Sequence, residues 1–232
     1  METQALLQHF RSPPPGKLFC VHGDPGVFRL SLVAAGHVLL SGVPVTLVDG
    51  SNRFDLYGLA EFARRTAGGR CTPGELLRNI FVSRAFTCYQ MEAVITERLP
   101  AFVRTKQSPV VLIFGLLDTF YDEQAPLFEV RGALERSITA LQQLRAGGVS
   151  VLVASTDLRP ASTARAGLFP RLTAAMDRVY RMDRGMVQRG EPHSGEHNGT
   201  DRTHIHHGSP AGNGKLGEIP AGAPERRSGC AR

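Results

Sequence analysis

The chain has 232 residues, 27 Lys and Arg against 21 Asp and Glu, a formal charge of +6, 42% hydrophobic residues and no Trp. That length and apolar fraction fit one sizeable globular domain and exclude a wholly disordered or collagen-like chain. The basic surplus lies before residue 190, because Arg202, Lys215, Arg226, Arg227 and Arg232 are matched by Glu191, Glu196, Asp201, Glu218 and Glu225; it suits contact with nucleic acid or nucleotide phosphate without requiring it.

Residues 1–16, METQALLQHFRSPPPG, have no basic start followed by an apolar run, which argues against a secretory signal. The first strand is predicted at residues 18–21, followed by a Gly-Pro-Gly turn and a helical pattern over 30–40. Residues 30–48 carry no charge, yet Gly36, His37, Ser41, Gly42 and Pro44 interrupt them, so no membrane span is expected. Further strands are predicted at 45–48, 80–83, 110–114, 151–154 and 178–182, with a partner near 186–188. Helices are predicted at 56–65, 73–78, 89–104 and 128–145. In the last of these, Leu134, Ile138, Leu141 and Leu144 fall on one face.

Strands as apolar as VVLIF and VSVLVAS belong to a sheet covered on both sides. The fold class expected is therefore α/β, a mostly parallel central sheet flanked by helices, spanning residues 17–189. Ligands of such sheets bind at the carboxyl ends of the strands, where the Gly23 turn, Asp49, Gly115 and Ser155 would converge. From residue 190 the composition turns to Gly, Pro, His, Ser and charge, the signature of a disordered tail. Five of the eight histidines fall there (His193, His197, His204, His206, His207) without a scaffold or a ligand frame, so no metal site is expected. Cys20, Cys71, Cys88 and Cys230 are widely separated, which points to a reducing cytoplasm and away from zinc or disulfides.

The stretch FCVHGDPGVFRLSL has the strand, turn and helix order of a phosphate-binding P-loop. Such a loop cradles phosphate with backbone N–H groups, neutralises it with a Lys, and ligates Mg²⁺ through a Ser or Thr. Laid on Gly23, the motif puts Phe28 at the second Gly, Arg29 at the Lys and Leu30 at the hydroxyl. Arg29 keeps the charge on a different shape, Leu30 cannot ligate a metal, and Phe28 fills space where backbone should approach phosphate. Gly23, Gly26 and Arg29 are the residues left to hold ATP or phosphate weakly.

Several segments in order resemble the RecA-like recombinase superfamily, in particular the archaeal and eukaryotic recombinases of RadA type and their non-catalytic paralogues. They are GVPVTLVDGSNRFD, TPGELLRNIFVSRAFTCYQMEAVI, RGALERSITALQQLR and DRVYRMDRG, the second being the most specific. The resemblance implies a RecA-like P-loop-type core with degenerate Walker A and Walker B motifs. Gly115 stands where the family has its Walker B aspartate, with Asp118 three residues on, and Ser51 stands where the family positions water with a glutamate. Phosphoryl transfer depends on positioned charges and a metal, so these losses together point to a pseudo-ATPase. Asp49, Asp118, Asp122 and Glu123 are alternative carboxylates for a rebuilt metal site; the simpler expectation is that Asp49 caps a turn and that Asp118 and Asp122 begin a solvated loop.

The resemblance also implies two DNA-reaching loops, here YDEQAPLFEVR and TDLRPASTARAGLFPR. In the second, Arg159, Arg165 and Arg171 are the candidates for DNA backbone contact, since phosphate contacts need cations and no sequence code. The expected role is a non-catalytic accessory or DNA-binding protein in recombination and repair, docking on a recombinase or other repair protein or on itself. The alternatives are a DNA-dependent ATPase with a rebuilt P-loop and a regulator that binds protein without DNA.

Overall fold

A computed structural model describes residues 4, 6–8, 16–66, 68, 72–157 and 160–190, all within one compact unit; the histidine-bearing tail after residue 190 lies outside the described residues. Seven strands form one sheet: β1 (Leu18–Gly23), β2 (Val45–Asp49), β3 (Ile80–Arg84), β4 (Val110–Phe114), β5 (Ser150–Thr156), β6 (Arg178–Asp183) and β7 (Met186–Gly190). Their order is β3-β2-β4-β5-β1-β6-β7, parallel throughout except for the β6–β7 hairpin. The α/β class and the mostly parallel sheet are thus as the apolar strands dictate, because β2 and β4 are buried along their whole length and shed both faces onto helices.

Alternation along β1 sorts the helices. Phe19 and Val21 face α1 (Gly26–Leu40), α2 (Leu56–Thr66) and α3 (Pro73–Arg78), together with Leu47, Leu112 and Leu152. Leu18 and Cys20 face the other layer: α4 (Cys88–Ala93), a π-turn (Val94–Arg98), α5 (Leu99–Lys106), α6 (Leu116–Phe120), α7 (Leu127–Ala146) and α8 (Leu168–Ala174). Leu6, fully buried in the α1 layer, belongs to this core, although residues 1–16 read only as a short lead-in.

Local chemistry sets the element ends. Thr72 and Glu75 close a capping box on α3, with Pro73 at its first position. The pattern predicted as one helix over 89–104 is continuous but widens into the π-turn just before Pro100. Pro100 lacks an N–H and its ring would press on the carbonyl of Thr96 in an unbroken α-helix. Helices α6 and α8 are additions. Each is too short to display a helical period in the sequence.

Candidate functional site at the carboxyl edge of the sheet

Adjacent pairing brings the carboxyl ends of β2, β4, β5 and β1 side by side, so Asp49, Gly115, Ser155 and the Gly23 turn do share one edge. At the β1 end, only Asp24 and Pro25 separate Gly23 from the first residue of α1. Gly23 has φ +132°, and a β-carbon there would overlap the Met182 carbonyl oxygen of β6, so glycine is fixed by close approach as well as by conformation.

The polar groups of this turn are all engaged. Asp24 N donates to Met182 O at 3.1 Å, Gly26 N to Asp24 Oδ1 at 2.7 Å and Val27 N to Asp24 O at 3.1 Å; residue 25 is proline and has no N–H. The second carboxylate oxygen of Asp24 accepts from Gly185 N, in the β6–β7 turn, at 3.0 Å. The protein's own carboxylate therefore takes the anion's place at the α1 N-terminus. Gly23 and Gly26 offer no unoccupied cradle in this arrangement.

Downstream, Phe28 and Leu30 point into the core, and the Phe28 ring packs against Phe114 at 5.2 Å between centroids. Arg29 is exposed and lines a surface cavity between α1 and α2 with Asp55, Glu61 and Arg65. Phe28, Arg29 and Leu30 are therefore helix residues, two of them holding the α1 layer to the sheet.

Asp49 behaves as a turn cap: its carboxylate accepts from Ser51 N at 3.2 Å, Arg53 N at 3.0 Å and Phe54 N at 3.0 Å. Asp118 does not begin a solvated loop. It lies on α6, whose other residues Leu116, Leu117, Thr119 and Phe120 are buried, because the chain turns inward straight after β4. Gly115 at that turn has φ +60°; a β-carbon on it would overlap Ser51 Cβ and lie 2.8 Å from both Ser51 Oγ and Asp118 Oδ2. Helical reach thus returns the Asp118 carboxylate to the space above residue 115. Burial pushes the Asp118 carboxyl above its ordinary range, against the lowering pull of Arg53 and with a smaller push from Asp49. Asp118 Oδ1 and Ser51 Oγ are both buried without a hydrogen-bond partner.

The arginines of the second loop divide. Arg165 is 4% exposed, and its guanidinium donates to the carbonyls of Phe120, at 2.9 Å, and Ala125. This corrects its assignment as a DNA contact: the group staples the α6–α7 connection to the loop after β5 and does not reach solvent. Arg171, on α8, is exposed but held in a bidentate pair by Glu135, with Nη2 to Oε2 at 2.7 Å. Arg159 lies outside the described residues.

One grouping was not anticipated. His22 and Arg181 are directly paired across β1 and β6, and Ser155 pairs His22 from the β5 side. Asp157, just beyond β5, joins them: its Oδ1 is 2.7 Å from His22 Nδ1 and its Oδ2 3.2 Å from Arg181 Nη2. The His22 ring also meets Phe169 of α8 edge to face at 4.9 Å. Nothing in the local sequence joins these residues; only the strand order does.

The fold and this edge define an α/β protein with a strand–turn–helix unit whose helix N-terminus is capped by its own Asp24 carboxylate. No family model matches the chain, and no curated protein matches it. Among the described residues no cluster of His, Cys, Asp and Glu is arranged to hold a metal, and no helix is long and apolar enough to cross a membrane.

Proposed function

We propose that the chain is a non-catalytic RecA-like protein that serves DNA recombination and repair as a binding accessory. The observation that carries this is the closed turn after β1: the amides of residues 24, 26 and 27 are taken by Met182 and Asp24, and Asp24 fills the helix end a triphosphate would need. A working site also needs a lysine, a metal ligand and a water-positioning carboxylate; Arg29 lines another groove, Leu30 is in the core and Ser51 is no carboxylate. The segments that carry the resemblance lie on β2 with its turn, α3–β3–α4, α7 and the β6–β7 hairpin.

A second reading, docking on protein, is favoured by the sheet edge. Among the described residues strand β3 pairs only with β2, leaving its outer backbone groups open to a further strand, and Val82 on it is 40% exposed. Beside it lies a cavity of about 300 Å³ lined by Val48, Phe81, Val94, Leu99 and Phe102 among others. An extended segment of a repair protein, or of a second copy, would add as a strand there and seat a side chain in the cavity. The two readings share the loss of ATPase chemistry and differ in partner.

ATP hydrolysis by the purified chain, with Arg29→Ala alongside, tests the shared part; the expected result is no turnover above the Arg29→Ala background. Binding of single-stranded DNA across a salt series separates the partners: a shift that weakens with salt supports the nucleic-acid role, and its absence at low salt leaves protein docking.

A further inference from the structure

Arg29, Leu32, Val33 and Gly36 recur at helical spacing and share one face of α1. The helix touches α2 where the Phe62 ring lies on Gly36, since a β-carbon there would overlap Phe62 Cε1. Before that contact on α1 the two helices enclose a cavity of about 390 Å³, lined by Arg29, Leu32, Val33, Asp55, Leu59 and Phe62 among others. We propose that this cavity binds a small zwitterion with an apolar side chain, a free apolar α-amino acid, holding its carboxylate on Arg29 and its ammonium on Asp55.

The floor sets the body of the ligand. Leu32 and Leu59 are buried, Val33 and Phe62 half-buried, and none of the four carries a side-chain polar group. The Phe62 ring is held in place by Gly36 beneath it and by the His37 ring, which meets it edge to face at 5.1 Å. The volume lies near the bottom of the range of about 300–1,000 Å³ in which pockets enclose small molecules, room for one apolar side chain with two small charged groups. Both walls are packed helices, so the site is largely formed before a ligand arrives, which lowers the ordering cost of binding.

The rim sets the charges. Glu61 is closed: its Oε2 accepts from Arg64 Nε at 2.9 Å and Nη2 at 2.7 Å, and its Oε1 from Arg65 Nε at 2.7 Å. Those hydrogen bonds, from Arg64 first and then Arg65, hold the Glu61 carboxyl below its ordinary range. Asp55 is half open. Its Oδ1 accepts from Gly58 N at 2.8 Å and caps α2, while its Oδ2 has no donor among the described residues. Arg29 is exposed and makes no hydrogen bond or ion pair among the described residues, with Asp55 or with any other group. One open cation and one open carboxylate oxygen therefore border the same cavity without meeting.

A zwitterion satisfies both groups at once. A carboxylate suits the planar fork of a guanidinium, and an ammonium supplies the donors that Asp55 Oδ2 lacks. A ligand with one charge leaves the opposite group of the rim unpartnered, which sets aside simple amines, simple carboxylates and the single charged end of a long peptide. A phosphate ester would find Arg29 but would also face the carboxylates of Asp55 and Glu61. The apolar floor then favours a branched or aromatic side chain over a polar one.

The full-length chain is titrated with L-leucine, with isoamylamine, which is leucine without its carboxylate, and with isocaproate, which is leucine without its ammonium. Amide NMR shifts are the readout. Leucine is expected to saturate and to move the amides of Leu59 and Phe62, and each analogue to bind about fivefold or more weakly, since each loses one charged contact at an exposed rim. Asp55→Asn, which keeps the cap of α2, is expected to weaken leucine by a similar factor and to leave isocaproate unchanged; Arg29→Gln is expected to weaken leucine and to leave isoamylamine unchanged. Removing the same contact from ligand and from protein should not add. Should one variant lose its fold in a thermal melt, the other variant and the two analogues decide. Equal binding of the three ligands, no saturable binding of leucine, or leucine binding untouched by both variants overturns the proposal.

Discussion

The turn after β1 and the turn after β4 lie on the same edge of the sheet, separated by β5, and they treat their polar groups in opposite ways. At the first, the Asp24 carboxylate and the amides of residues 24, 26 and 27 all have partners within the fold. At the second, Ser51 Oγ and Asp118 Oδ1 are buried with none. Ligand sites are places where polar groups wait for a partner, and the first turn has none waiting. The difference teaches that the turn after β1 is a structural joint tying α1 to the β6–β7 hairpin, whereas the end of β4 bears the cost of buried polarity, about 1–3 kcal/mol for each unpaired group.

The comparison breaks most visibly at Phe28. If the first turn is structural, Phe28→Ala opens the α1 layer against Phe114 and lowers unfolding free energy by about 3–5 kcal/mol in chemical denaturation. Introducing P-loop residue types as Phe28→Gly, Arg29→Lys and Leu30→Thr together lowers it further without creating ATP binding, because a glycine inside α1 costs about 1 kcal/mol more than alanine. At the second turn, Gly115→Asp is expected to cost about 3 kcal/mol. The position is left-handed, and the new side chain meets Ser51 and Asp118.

Smaller effects sharpen the contrast. Asp24→Ala removes the carboxylate that Gly26 and Gly185 share and is expected to cost about 1–2 kcal/mol, with faster hydrogen exchange at Gly185. Asp118→Asn runs the other way, raising stability at neutral pH by about 1 kcal/mol. The sign follows from burial. A carboxyl raised in the folded state holds its proton to higher pH than in the unfolded chain, so its favourable contribution is complete below the ordinary carboxylate range and is lost as pH rises through the folded value. Denaturation curves of the wild type should therefore lose stability over that window, and Asp118→Asn should flatten the loss. The smallest effect belongs to Arg171→Ala, below about 1 kcal/mol for an exposed pair with Glu135.

The inner strands were legible because buried parallel strands are written as unbroken apolar runs. VVLIF lies where expected to the residue, and the others gain only one or two residues at their ends. Asp49 was legible as a turn cap because a carboxylate can reach the amides two to five residues on. Arg165 was not, because a basic residue among Ala, Ser and Gly looks solvated until the loop folds it onto the Phe120 and Ala125 carbonyls from 45 and 40 residues away. Asp118 misled for the related reason that α6 spans only five residues and shows no period. His22, Asp157 and Arg181 meet only through the pairing of β1 with β5 and β6, which no local pattern encodes.

Calorimetric titration of the wild-type chain with ATP, with and without Mg²⁺, addresses the closed turn most directly. No saturable heat in either case is expected, and none from Arg29→Ala. Micromolar binding that requires Mg²⁺ and disappears in Arg29→Ala would contradict the account, since it would mean that Asp24 yields its place at the α1 N-terminus to phosphate.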